Sequence, residues 1–99
     1  MPNSADIHIS HVLPGRVRLR VSTIKGNRGI AEQMRAAFCS VPGITGLSYN
    51  IITGSVLITY DTRRIVAGDA VQRLRSVMRE HLPDLDAEVV IRWLDGRAR

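Results

Sequence analysis

One cysteine, Cys39, stands in the whole chain, so no intramolecular disulfide can form and no pair of thiolates is available. That thiol falls near the end of an expected helix, where the dipole disfavours thiolate, so a reactive or metal-binding role is not expected of it. Aromatic residues make up only 4 % of the chain. Apart from Phe38 they are Tyr49, Tyr60 and Trp93, which fall on the inward phase of expected strands. Sheet-type RNA binders stack bases on exposed aromatics, so sequence-specific nucleic-acid recognition is disfavoured. No apolar stretch approaches the roughly 20 residues needed to cross a bilayer. The first ten residues are polar, with no long apolar stretch after a basic start. A cytoplasmic protein, able to sit at the periphery of a membrane, is the expectation. Acidic residues are also in deficit, 9 against 14 Lys and Arg, for a net charge of +5. The carboxylates Asp61, Asp69, Glu80, Asp84, Asp86 and Glu88 form no evident acid/base pair, and no Ser-His-Asp or Cys-His grouping is apparent, so an enzyme is not expected.

What is present is a basic chain with clear periodicities. The charge favours acidic partners: a protein surface, an anionic ligand, phospholipid head groups, or nucleic acid bound without sequence preference. Ninety-nine residues suit one domain over 1–99, with its core at about 11–94 and short flexible ends. Residues 16–22 alternate basic and apolar side chains strictly, the pattern of a half-buried strand with Val17, Leu19 and Val21 inward and Arg16, Arg18 and Arg20 outward. Residues 7–12 show a partial period of two and begin a strand, which Pro14 and Gly15 interrupt as a turn or bulge. A loop at 23–29 leads to a helix capped by Asn27, with Ile30, Met34, Ala37, Phe38 and Val41 at spacings of three and four and Pro42-Gly43 at its end. Strands follow at 44–49 (Leu47 and Tyr49 on one face) and 55–60 (Val56, Ile58 and Tyr60 inward), joined by a hairpin loop with Thr53-Gly54. Asp69 can cap a second helix with the stripe Val71, Leu74, Met78 and Leu82, followed by Pro83. Residues 87–93 read as a last strand with Val89, Ile91 and Trp93 inward.

The order βαββαβ is α+β and ferredoxin-like, an antiparallel four-stranded sheet with two helices on one face. Its first and third strands are central. Arg16, Arg18 and Arg20 are therefore expected mid-sheet on the helix-free face, flanked by Leu57 and Thr59 on one side and by Glu88, Val90 and Arg92 on the other.

Three arginines at i, i+2 and i+4 repel one another at about 7 Å spacing, and a face serving only solubility would mix signs or use Thr and Lys. The guanidinium fork suits carboxylate or phosphate recognition, so Arg16, Arg18, Arg20 and Arg92 form the candidate partner- or anion-binding set. The loop Gly26-Asn27-Arg28-Gly29 opens onto a helix N-terminus and, with Lys25, Asn27 and Arg28, is a second candidate anion site. No metal site is assigned. The residual candidate ligands are His8, His11 and His81, but His8 and His11 are three apart in an extended segment and are expected on opposite faces. Met34 and Met78 belong to helical core stripes.

The stretch 16–82 resembles a heavy-metal-associated domain. The resemblance is carried by the strand Val17-Arg18-Leu19-Arg20-Val21, the helix exit Phe38-Cys39-Ser40-Val41-Pro42-Gly43-Ile44, and the hairpin from Asn50 through Thr53-Gly54 to Tyr60-Asp61. Where that family normally places CxxC, this chain reads Gly26-Asn27-Arg28-Gly29. It is similar to a divergent branch without CxxC that opens with a phrase like His11-Val12-Leu13-Pro14-Gly15-Arg16-Val17-Arg18-Leu19-Arg20-Val21. Such domains occur at the N-termini of some heavy-metal-transporting P-type ATPases, and as small proteins beside such pumps, including systems that load iron into membrane-bound storage compartments. The resemblance implies a non-enzymatic accessory role in transition-metal transport or storage, with iron the favoured metal. It suggests docking of the arginine face on an acidic surface of such an ATPase or of a compartment component. Two alternatives stay open. One is direct carriage of metal through the histidines, or of haem with arginines on its propionates. The other is an anion-binding module for phospholipid or nucleic acid. Homo-oligomerisation through edge strands 44–49 and 87–93 is also open.

Overall fold

The computed structural model describes residues 7–83 and 86–94. The expected flexible ends, Asp84 and the orientation of the Trp93 side chain lie outside what is described. Four strands, β1 (Ile7–Leu13), β2 (Arg16–Val21), β3 (Ile44–Asn50) and β4 (Ser55–Tyr60), form one antiparallel sheet in the order β1-β2-β4-β3. Three helices accompany it: α1 (Arg28–Cys39), α2 (Gly68–His81) and α3 (Ala87–Leu94). The fold is α+β and ferredoxin-like, as expected.

The strict alternation of β2 becomes alternate burial. Val17, Leu19 and Val21 enter the core and the three arginines are exposed. Val56, Ile58 and Tyr60 of β4 and Leu47 of β3 complete the apolar face of the sheet. The helices cover it with Ala31, Met34 and Phe38 of α1 and Leu74, Val77 and Met78 of α2. Asn27 caps α1 as anticipated, its Oδ1 accepting the Ile30 N–H at 3.1 Å. Asp69 does not cap α2. The N-cap is Ala67, without a side-chain bond, and Asp69 sits in the first turn, where the helix dipole favours it.

The fourth strand comes from the opposite end of the chain to the one expected. Residues 87–93 are helical, and β1 lies beside β2 instead. Leu13 and Arg16 flank a two-residue Pro14-Gly15 turn, with Gly15 at φ 81°, a conformation open to glycine at little cost. This hairpin occupies the edge of β2 that 87–93 would have paired with. The later segment satisfies its own backbone as a helix. Asp86 starts it, its Oδ1 accepting the Glu88 N–H at 2.9 Å, and Ala87, Val90 and Ile91 pack against the core at helical spacing. Glu88 sits on α3 and accepts a two-pronged bond from Arg75 of α2, at 2.7 and 3.3 Å. The edges of the sheet are accordingly β1 and β3.

Two carboxylates hold the connections. Asp61 Oδ1 accepts the N–H groups of Arg63 and Arg64 at 2.9 and 3.0 Å, shaping the turn that buries Ile65. Glu32 of α1 accepts from Arg35 at 2.8 Å and from the Tyr49 hydroxyl of β3, tying helix to sheet. Bonds to Arg64 and then Arg63 lower the Asp61 pKa from its ordinary 3.8. Bonds from Arg35 and then Tyr49 lower that of Glu32 from its ordinary 4.5. Below-normal folded values mean that the unfolded chain binds more protons, so this stability is present above the ordinary values and is lost as pH falls through the lowered ones. The thermal midpoint is expected to drop on acidification below about pH 4. The drop should be shallower in an Asp61→Ala/Glu32→Gln variant that is already destabilised at neutral pH. Calorimetric scans across pH 3 to 7 check this, and parallel curves for the two proteins would contradict it.

Candidate functional site: the open face of the sheet

Helices pack on one side of the sheet, leaving the other to solvent. Three cross-strand rows can be read from the register. His8, Arg20, Ser55 and Asn50 form one. His11, Arg18, Leu57 and Ser48 form the next, and Leu13, Arg16, Thr59 and Gly46 the third. Arg16, Arg18 and Arg20 thus run along a central strand, as expected, with Leu57 and Thr59 on the β4 side. On the other side the neighbours are His8, His11 and Leu13, where Glu88, Val90 and Arg92 were expected. Arg92 is an exposed residue of α3 and does not belong to this face.

The two histidines share the face because of a bulge. Ile9 pairs with Leu19 and His11 with Arg18, so Ser10 is an extra residue in the edge strand. It shifts the alternation by one, and the i, i+3 pair points the same way. The Ser10 hydroxyl donates to the Arg18 carbonyl at 3.4 Å across the bulge. The sequence carries this signal: the inward residues of β1 are Ile7, Ile9 and Val12, spaced two and then three. His81 lies at the end of α2, in the helical layer, and is not brought to the other two.

The electrostatics of the face are one-sided. Among the described residues its charged and titratable side chains are Arg16, Arg18, Arg20, His8 and His11, all exposed, and none makes a hydrogen bond or ion pair through its side chain. The described carboxylates lie elsewhere: Glu32 on α1, Asp61 in a connection, Asp69 and Glu80 on α2, and Asp86 and Glu88 at α3. Ser55, Ser48, Thr59 and Asn50 supply further polar groups. Tyr49 and Tyr60 are on the helix-facing side, so no described aromatic side chain is offered for base stacking.

The loop candidate is less well equipped. The Asn27 oxygen that caps α1 occupies the position an anion would take, and the Gly26 and Asn27 N–H groups are bonded to the Ile51 and Ile24 carbonyls at 2.8 and 2.9 Å. Lys25 and Arg28 are exposed beside it. Cys39 is exposed at the end of α1, whereas Met34 and Met78 are core residues.

These features define a small α+β module with helices on one side of the sheet and, on the other, an exposed face whose charged side chains among the described residues are all basic. The sequence matches the family described as heavy metal associated domain 2 over residues 2–79, and the chain belongs to that family. No curated protein and no solved structure matches it. Members are metal-related interaction or binding modules. The residues at the usual metal loop, Gly26, Asn27, Arg28 and Gly29, do not fit a soft ion, because they offer neither thiolate nor imidazole. Among the described residues no group of three or more His, Cys, Asp and Glu is placed to hold a metal. His8 and His11 stand beside fixed guanidinium charges that repel a bare cation. No described helix is long and apolar enough to cross a membrane.

Proposed function

We propose that this domain is a non-enzymatic accessory module of transition-metal transport or storage that acts by docking. Its arginine face binds an acidic protein segment, on a metal-transporting P-type ATPase or a component of a storage compartment, at the cytoplasmic side of a membrane. Iron is the metal favoured by the family resemblance. The observation that carries the reading is the row Arg16, Arg18, Arg20 on a central strand, without a carboxylate partner among the described residues. Holding three unneutralised guanidinium groups side by side is unfavourable in the free domain and becomes favourable against carboxylates. The arginine spacing of about 7 Å equals that of alternate side chains in an extended peptide, so a segment with an acidic residue at every second position meets the arginines one to one.

The test is the triple variant Arg16→Ser/Arg18→Ser/Arg20→Ser. All three positions are exposed, so folding should survive, with a thermal midpoint equal to or above that of the parent. At about 1 kcal/mol for each guanidinium–carboxylate pair, affinity for an acidic peptide or for the cytoplasmic region of such a pump should fall about 100-fold. Calorimetric titration measures this. Undiminished binding by a folded triple variant removes the docking reading.

A further inference from the structure

The bulge at Ser10 places two titratable side chains in the arginine rows, and the docking reading gives them no task. His8 stands directly across from Arg20 and His11 directly across from Arg18. Opposed residues of an antiparallel pair lie about 4.5 to 5.5 Å apart. β1 is an edge strand, so β2 is the only strand paired with it among the described residues, and the charged groups on this face of β2 are Arg16, Arg18 and Arg20. On β1 itself the other residue of the face is Leu13, and among the described residues no carboxylate faces either histidine.

We infer that His8 and His11 belong to the same docking surface as the arginines and take up protons when an acidic segment binds, so that docking strengthens as pH falls. This rests on the docking reading. Imidazole is the side chain whose charge ordinarily changes between pH 5 and 8. A carboxylate laid along the rows lies next to both the guanidinium and the ring, and an adjacent negative charge favours the imidazolium. Proton uptake then accompanies binding, and by linkage each favours the other. Glutamate side chains ordinarily titrate well below pH 6, so an acidic ligand keeps its charge through this window. The two histidines also widen the cationic surface from one strand to two, which suits a peptide lying over the β1-β2 hairpin.

The probe is a synthetic peptide of about ten residues alternating Glu and Ser, titrated calorimetrically into the full chain at pH 8, 7 and 6. Buffers of different ionisation enthalpy count the protons exchanged. The parent is expected to bind about tenfold more tightly at pH 6 than at pH 8, with one to two protons taken up. His8→Asn/His11→Asn should lose both the pH dependence and the proton uptake, while circular dichroism shows the fold intact. A flat profile for the parent, or the same rise in the double variant, overturns the inference. The triple arginine variant separates the two claims. If the parent binds and the triple variant does not, docking stands whatever the histidines do. If the parent fails to bind at every pH, both fall. A single-stranded oligonucleotide of equal charge forms the last arm, and tighter binding to it than to the peptide overturns the acidic segment as partner.

Discussion

Replacing Gly43 by alanine is expected to destabilise the domain by about 3 kcal/mol, the combined effect of backbone strain and overpacking. Gly43 follows Pro42 in the exit from α1 and has φ of 98°, a region that L side chains rarely adopt. Space is short as well: a Cβ there would lie 2.8 Å from the Ile65 nitrogen and 2.9 Å from its Cα. These are backbone atoms of the turn that buries Ile65, held on its other side by Asp61. The added carbon must therefore move either the start of β3 or that turn, and the Asp61 N–H bond to the Gly43 carbonyl, 2.7 Å in the parent, joins the two. Denaturant titration should show the midpoint shifting down with little change in slope. A loss below about 1 kcal/mol would mean that the turn relaxes freely.

Truncating Phe38 to alanine should have an effect at least as large, about 3 to 5 kcal/mol. The ring is 2 % exposed and stands between α1 and the sheet. It also lines a partly open apolar pocket of about 40 Å³ with Leu19, Ile58, Leu74 and Met78. Removing the ring joins new empty volume to that pocket, and the lining side chains have little matter with which to fill it. For a chain of this size the melting temperature should fall by about 15 °C or more. Part of the population should be unfolded at physiological temperature if the parent has stability typical of small domains. A midpoint within about 5 °C of the parent would show that the core closes over the gap. Neither Gly43 nor Phe38 lies on the open face, so any binding lost by these variants should follow the folded fraction.

The sites differ in how far the sequence reveals them. The arginine row was readable because it needs only the two-residue period of a strand and one apolar side to bury. The Asn27 cap and the core roles of Met34 and Met78 were readable for the same local reason. Arg92 departs from the sequence expectation because 87–94 satisfies two periods at once. Val89 and Ile91 alternate as in a strand, while Ala87, Val90 and Ile91 fit a helix. Local pattern does not choose between them, and the choice depends on whether an unpaired edge is available. His8 and His11 share a face against expectation because a bulge breaks the rule that i and i+3 face apart. The odd spacing from Ile9 to Val12 marks that bulge only once residues 7–13 are known to be a complete strand.

The sequence by itself determined the class of fold, the face on which the arginines stand and the absence of the thiolate pair. Each follows from local periodicity or from composition. Tertiary structure decided which segment completes the sheet. A two-residue turn brings β1 to β2 at small entropic cost, whereas 87–93 would have had to cross from the end of α2 to reach the same edge. Once β1 occupied it, the hydrogen-bonding groups of β2 were satisfied on both sides, and the later segment satisfies its own backbone as a helix while burying its apolar residues. The same event set histidines rather than a glutamate beside the arginines, and so left the open face without a carboxylate among the described residues.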